Sequence, residues 1–415
     1  MPFDINPRYV IIGVVGLVVI VILIGLLSGS KEQGPAVSGD ITMWGYWPQS
    51  MVSNVLSNFS QTLPVRVNYQ ELPREGYEEA LVNALAAGQG PDIFMLKSSS
   101  RIKNLSKMSP APVGFFTSRE LRETFPDSVL NDFYLNNQLY ALPVTFNPLT
   151  LFYNKEYFNA AGIAIPPKTW SELQRIVPKL TQKQGSILIR GGVALGTANN
   201  ISYPKDILIV HFLQKNSDIQ NLSVDVASAI FNYYFEFSDP TSPSYSWNNT
   251  FENDIESFAQ GKVAIIFAYP SDIAKITNLN PRLPFDVAPL PQYDVNKPVN
   301  FTDYSVLAVS RLSRNQAAAW SAIKYMVNPQ VSYLFANAVH EPPAQRQLLG
   351  GIQDPLLSVF ASEILTSKNW LDPDPKETNR VFANAINDYL TGRRDLIKVV
   401  TELQASLNRL QRGQL

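Results

Sequence analysis

Three aromatic residues crowd one short stretch, Trp44-Gly45-Tyr46-Trp47, directly after the apolar alternation Ile41-Thr42-Met43. In open α/β sheets ligands sit beyond the carboxyl ends of strands, so Trp44, Tyr46 and Trp47 stand at a binding rim. Aromatic rings pack on the C–H faces of sugars, whose hydroxyls then need hydrogen-bond partners. Such partners recur at comparable places. Lys97-Ser98-Ser99-Ser100-Arg101 follows the apolar run Ile93–Leu96, with Ser98 and Ser99 as candidates. Asn199, Asn200, Ser202 and Tyr203 form a polar loop tipped by an aromatic, where Asn200 and Tyr203 are the candidates. Tyr269-Pro270-Ser271 follows the apolar Ile265–Phe267 and offers Tyr269 and Ser271. Stacking plus hydroxyl recognition is the chemistry of capturing a small polar solute.

Catalysis has no comparable footing. No G-x-S-x-G elbow, phosphate loop or dinucleotide fingerprint occurs. The carboxylate pairs Glu71/Glu75 and Asp372/Asp374 have the composition of a glycosidase pair, but they lie in proline-containing loops and read as solvated charges. The chain has no cysteine, which excludes disulfides, thiolate nucleophiles and cysteine-ligated zinc. Its two histidines, His211 and His340, lack ligand spacing, and His211 between Val210 and Phe212 reads as a packed core residue. No calcium-loop pattern is present, so no metal or cofactor is expected. A net charge of −1 provides no basic field for a nucleic-acid backbone, and nucleic acid is not an expected partner. The reading is a binding protein and not an enzyme.

The elements that must position these residues alternate. Val52, Val55, Leu56 and Phe59 mark a helix after the first strand, and Val65–Tyr69 alternates as a second strand. Tyr77, Ala80, Leu81, Ala84 and Leu85 form one helical face, stopped by Gly88-Gln89-Gly90-Pro91 before the strand Ile93–Leu96. Strand–helix–strand order of this kind predicts an α/β fold on a parallel sheet buried on both faces. The pattern returns at Thr150–Tyr153, at Val263–Phe267 and at Ser305–Val309, with a capping box at Thr169–Glu172. From Thr378 to Leu410 the pattern is mostly helical.

Ahead of all this, residues 9–27 read YVIIGVVGLVVIVILIGLL without a charge. A run of about 19 residues at 1.5 Å each nearly matches the ~30 Å hydrocarbon core of a bilayer and exceeds the ~7–15 apolar residues of a signal peptide. The expectation is a short cytoplasmic N-terminus at 1–8, a transmembrane helix at 9–27 and a flexible tether at 28–40. The chain is then a single-pass protein of the cell membrane, in contact with the lipid bilayer through that helix, with its folded part extracytoplasmic.

Three segments carry a family likeness: YEEALVNALAAGQGPDIFML at 77–96, LPVTFNPLTLFYNKEYFNAAGI with IPPKTWSEL across 142–173, and FAQGKVAIIFAY at 258–269. Together the chain after Asp40 resembles the bacterial family 1 extracellular solute-binding proteins of ABC importers, the maltose-binding-protein-like group. The resemblance implies a two-lobed periplasmic-binding-protein-like α/β fold, here with an N-terminal transmembrane helix. Its first lobe would hold 41–147 plus 305–348 and its second 148–304 plus 349–415, with crossings near Phe146–Leu149, Tyr304–Ala308 and Ala344–Gly350. It places Asn147 in the cleft, where maltose-binding members carry a carboxylate. It matches Tyr269 to an aromatic ligand platform, brings Asp303 and Tyr304 to the second crossing, and sets Asn379 and Arg380 at a late ligand contact that is aromatic in the family. The implied function is capture of a sugar or oligosaccharide by hinge closure, for delivery to ABC permease subunits. Lys97, Arg101 and Arg380 keep an anionic solute such as a sugar phosphate or glycerol phosphate open, and a ligand-sensing surface module is a further alternative.

Overall fold

The computed structural model describes residues 39–57 and 65–413. The N-terminal stretch 1–8, the span expected at 9–27 and the tether as far as residue 38 lie outside these residues. Gly39 and Asp40, read as the end of the tether, instead open the first strand and pair with Val65 and Arg66. Among the described residues no helix is long and apolar enough to cross a membrane.

Strand β1 (Gly39–Gly45) buries Ile41, Met43 and Gly45 and exposes Thr42, the period of two that alternation dictates. It runs parallel to β2 (Val65–Glu71), in register Ile41↔Val67 to Gly45↔Glu71, and parallel to β3 (Ile93–Lys97). Residues Ile93–Leu96 are all buried because β3 is covered on both faces. The helix Tyr77–Ala86 docks through Tyr77, Leu81 and Leu85. It ends where Gly88 adopts φ +69°, which lets Gln89 N–H reach back to the Ala84 carbonyl at 2.9 Å.

The chain then adds β4 (Met108–Ser109) and β5 (Ala141–Thr145), and passes through Asn147-Pro148 into β6 (Thr150–Asn154). Around β6 it builds a second sheet with β7 (Ile265–Ala268) on one side and β8 (Phe285–Ala288) on the other. A large apolar core surrounds that sheet, running from Leu149 through Trp170, Trp247 and Phe267 to Leu410 and including no residue of the first sheet. A second passage through Thr302-Asp303 returns the chain to β9 (Ser305–Ser310), which completes the first sheet in the order β2-β1-β3-β9-β4, with β5 also on β9. The bridge Pro148↔Thr302 pairs the two passages, and Thr145↔Pro343 ties β5 to the stretch that precedes a third.

The parallel sheet expected from the strand–helix–strand units holds for β1, β2 and β3 but not for the strand that completes it. β9 is antiparallel to β3, in register Ser305↔Lys97 to Val309↔Ile93. The reason is its path: it arrives from the second body at the carboxyl end of β3 and can only run backward along it. The second sheet is wholly antiparallel, and β7 ends with Ala268 opposite Thr150, which sets Tyr269 beside the first passage. His211 is fully buried, its ring tilted against that of Trp170 at 4.1 Å, with Nδ1 2.8 Å from the Tyr293 hydroxyl. Burial lowers its pKa to about 3, so it is a neutral core residue.

Candidate functional site

The three serines after β3 form a single tight turn, Ser98–Ser100. Asp303, on the second passage, locks it. The Asp303 carboxylate accepts from Ser98 Oγ, Ser99 N–H and Ser99 Oγ, each at 3.0 Å. Backbone bonds reinforce the contact: Ser98 N–H donates to the Tyr304 carbonyl at 2.8 Å, and Tyr304 N–H donates to Ser98 Oγ at 3.1 Å. Lys97 reaches the Asp303 carbonyl at 3.4 Å, and burial pulls its ammonium below the usual range against the pull of Glu341 and Asp303.

Facing this turn is a group from the second body. Tyr269 follows β7, and Tyr203 precedes the helix Pro204–Gln214, whose first position is proline. Their rings meet edge to face at 4.7 Å. The Tyr269 hydroxyl donates to Asp206 at 2.8 Å, and the Tyr203 hydroxyl donates to Asp272 at 2.9 Å. Asp272 also accepts Tyr269 N–H at 3.0 Å, so one carboxylate ties the two tyrosines together. Ser271, in the same turn, donates its N–H to Asn147 Oδ1 at 3.3 Å, linking the turn to the first passage.

Beneath Tyr203 lies a buried ionic group. Lys205 contacts Asp372 at 2.8 Å and Asp206 at 3.6 Å, and its ammonium stands 5.9 Å over the Trp370 ring. Asp372 also accepts from Thr378 Oγ1 at 2.6 Å and from Asp374 N–H at 3.1 Å. Burial alone would lower the Lys205 pKa, but Asp206 and Asp372 outweigh it and hold the ammonium above its ordinary range. Burial raises Asp206, with Asp303 and Asp372 adding to the rise.

These groups enclose a cavity of about 190 Å³ lined by Ser99, Ser202, Tyr203, Lys205, Asp206, Phe301, Asp303, Trp370, Asp372, Pro375 and Asn379. At its rim the two bodies meet through ion pairs, Lys103–Asp374 at 2.9 Å and Lys376–Glu79 at 2.8 Å. Asn369 also donates to Asp132 at 3.1 Å. Among the described residues no three His, Cys, Asp or Glu side chains are grouped to hold a metal ion.

Of the residues singled out from sequence, Ser99, Tyr203, Asp303 and Asn379 line the cavity, Ser98, Asn147 and Tyr269 bond to lining residues, and Ser271 bonds to Asn147 one step further out. Tyr46 is half-buried on the first body, its hydroxyl 2.9 Å from Ser305 Oγ and its ring under Arg74 at 5.1 Å. Trp44 is half-buried, and its carbonyl accepts the Tyr77 hydroxyl at 3.1 Å.

Four candidates point elsewhere. Trp47 is buried against Phe335, 6.0 Å between ring centres. Tyr304 is fully buried, stacked on Phe146 at 4.5 Å, with its hydroxyl satisfied by Asp132 at 2.6 Å. Asn200 is buried in its own loop, donating to the Asn248 and Phe251 carbonyls and accepting from Thr197 and Trp247. Arg380 is exposed, paired with Glu377 at 2.7 Å, and lines a separate groove with Arg393, Arg394 and Arg409.

Sequence reasoning missed Lys205, Asp206 and Trp370, and misread Asp372 as solvated although it is 1% exposed. A local signal existed for the first two: a charged pair opens the otherwise apolar run ILIVHF, just after Tyr203-Pro204. Asp372 gives none, because its partner is 167 positions away.

A family model described as bacterial extracellular solute-binding protein matches residues 44–332, more than half of the chain. A binding protein of Brucella abortus (strain 2308) is 22% identical over 265 residues, 63% of this chain. The chain spans 64% of the length of that relative. The galactooligosaccharide-binding protein of Bacillus subtilis (strain 168) is 21% identical over 88% of this chain and 89% of its own. Among solved structures, the sugar-binding protein MalE from Xanthomonas citri superposes with a TM-score of 0.76 at 19% identity, covering 91% of this chain and 98% of that one. The likeness establishes a mixed α/β, periplasmic-binding-protein-like fold.

Proposed function

The chain belongs to the bacterial extracellular solute-binding proteins of the maltose-binding type, and on that premise we propose that it captures a sugar in the cavity between its two bodies, without turnover. The observation that carries this reading is the cavity wall itself. Ser99 stands on one side, Tyr203 and Asp206 stand on the other, and the passage residue Asp303 lies between them. Hydroxyls, carboxylates and aromatic rings together match what a sugar presents. The lobes are 41–147 with 305–348, and 148–304 with 349–415, hinged at the passages. Ligand contacting both walls favours the closed arrangement, because closure is the state in which all contacts are made.

The closed form delivers its sugar to the membrane subunits of an ABC importer. The apolar run at 9–27 anchors the chain in the bilayer with the folded part outside the cytoplasm. Relatives named for galactooligosaccharide and maltotriose binding support the choice of carbohydrate.

The test is a thermal-shift screen of the full-length chain, in a detergent without a sugar headgroup, against mono- and oligosaccharides. A ligand that binds only the folded state raises the melting temperature. A rise with a sugar that Tyr203→Ala removes supports the reading, and no rise with any carbohydrate ends it.

A further inference from the structure

We propose that the ligand of this cavity is a single sugar ring carrying an amine, and that sugar phosphates and oligosaccharides are excluded; the inference rests on the capture reading above. Size is the first argument. The cavity holds about 190 Å³, below the ~300–1,000 Å³ of pockets for larger ligands, which suits one ring better than a chain of rings.

Charge is the second. The lining carries three carboxylates, Asp206, Asp303 and Asp372, against one ammonium, Lys205. That ammonium is committed between Asp372 and Asp206. The Asp303 carboxylate is held by hydroxyl and peptide donors from Ser98 and Ser99. Just behind Tyr203, Asp272 is likewise held by the Tyr203 hydroxyl and Tyr269 N–H. Lys97 and Arg74 act on Asp303 and Asp272 from outside the lining, and in a site shielded from water a net negative lining repels an anion and attracts a cation. Burial raises Asp206 even against Lys205 and the Tyr269 hydroxyl, so its charged form gains from a second cation. Ser99, Ser202, Tyr203 and Asn379 remain for the neutral hydroxyls of the ring.

The experiment is calorimetric titration of the full-length chain, in the same sugar-free detergent and just below neutral pH. The probes are glucosamine, galactosamine and mannosamine, each beside its parent hexose, its N-acetyl derivative and its phosphate ester, with maltotriose for size. At least one hexosamine binds about tenfold or more tighter than its parent, the size of a charged hydrogen bond. The N-acetyl derivative, which has lost the positive charge, loses the preference. Asp206→Asn erases the preference as well, while the N-acetyl comparison holds on the unaltered chain even where that variant fails to fold. A parent hexose, a sugar phosphate or maltotriose binding tighter than every hexosamine overturns the inference and leaves sugar capture standing. Silence from the whole panel overturns sugar capture itself, and this inference with it.

Discussion

Lys205 and Asp372 lie 167 positions apart in sequence and form a buried ion pair of 2.8 Å, with the carboxylate 1% exposed. One sits in the first turn of the helix after Tyr203 and the other precedes the helix Pro375–Leu390. Removing one partner leaves an uncompensated buried charge, a loss of about 3–5 kcal/mol. Lys205→Met therefore destabilises the fold strongly in urea unfolding. Adding Asp372→Asn to it recovers part of the loss, because the stranded carboxylate is gone. A double variant no more stable than Lys205→Met contradicts the coupling.

Glu363 gives a pH dependence with a definite sign. It is fully buried, accepting Leu290 N–H at 2.9 Å and Thr150 Oγ1 at 3.1 Å, and burial raises its pKa from 4.5 to about 8. A carboxyl raised in the folded state binds its proton more tightly there than in the unfolded chain. Folding is thus favoured below the unfolded value of 4.5 and loses stability as pH climbs toward 8. Glu363→Gln removes this slope. Urea midpoints of the two proteins, compared at pH 5 and pH 8, separate in favour of the variant at the higher pH.

The rim pairs Lys376–Glu79 and Lys103–Asp374 bridge the two bodies at partly or wholly exposed positions. Exposed pairs are screened by salt, so the closed arrangement loosens as ionic strength rises. Lys376→Glu with Lys103→Glu places like charges opposite each other. Small-angle scattering then gives a larger radius of gyration than the natural chain at low salt. An unchanged radius removes these pairs from any part in closure.

Tyr269→Phe keeps the ring against Tyr203 but removes the hydroxyl bonded to Asp206. One Asp206 oxygen then loses its hydrogen bond while Lys205 stays 3.6 Å from the other, and affinity for a sugar ligand falls about tenfold, in line with about 1–3 kcal/mol for an unsatisfied buried group. Titration of both proteins with the same sugar measures it, and an equal affinity places Tyr269 outside recognition.

What the sequence made legible follows the reach of local patterns. Alternation at Ile41 and Met43, and the unbroken apolar run Ile93–Leu96, announced the strands because burial dictates both. Serines directly after a buried strand announced the turn that meets Asp303. Strand direction was not legible: nothing within Ser305–Ser310 says that it enters from the far end of β3. Tyr304 misled because a hydroxyl-bearing aromatic at a passage has the composition of a ligand contact, while its true partner, Asp132, is 172 positions away. Asp372 escaped for the same reason, its partner Lys205 being 167 positions away. Charges in a proline-rich loop look solvated until the fold brings them a counter-charge.

The backward entry of β9 has a consequence for synthesis. During translation β3 is complete about 200 residues before the strand that covers its edge, an interval of roughly 10–40 s at ~5–20 residues per second. Through that interval the edge of β3 presents unpaired peptide groups to any other extended chain. The first sheet thus waits for its own closing strand until the whole of the second sheet has been made. A nascent chain halted before Ser305 is therefore the form most exposed to aggregation.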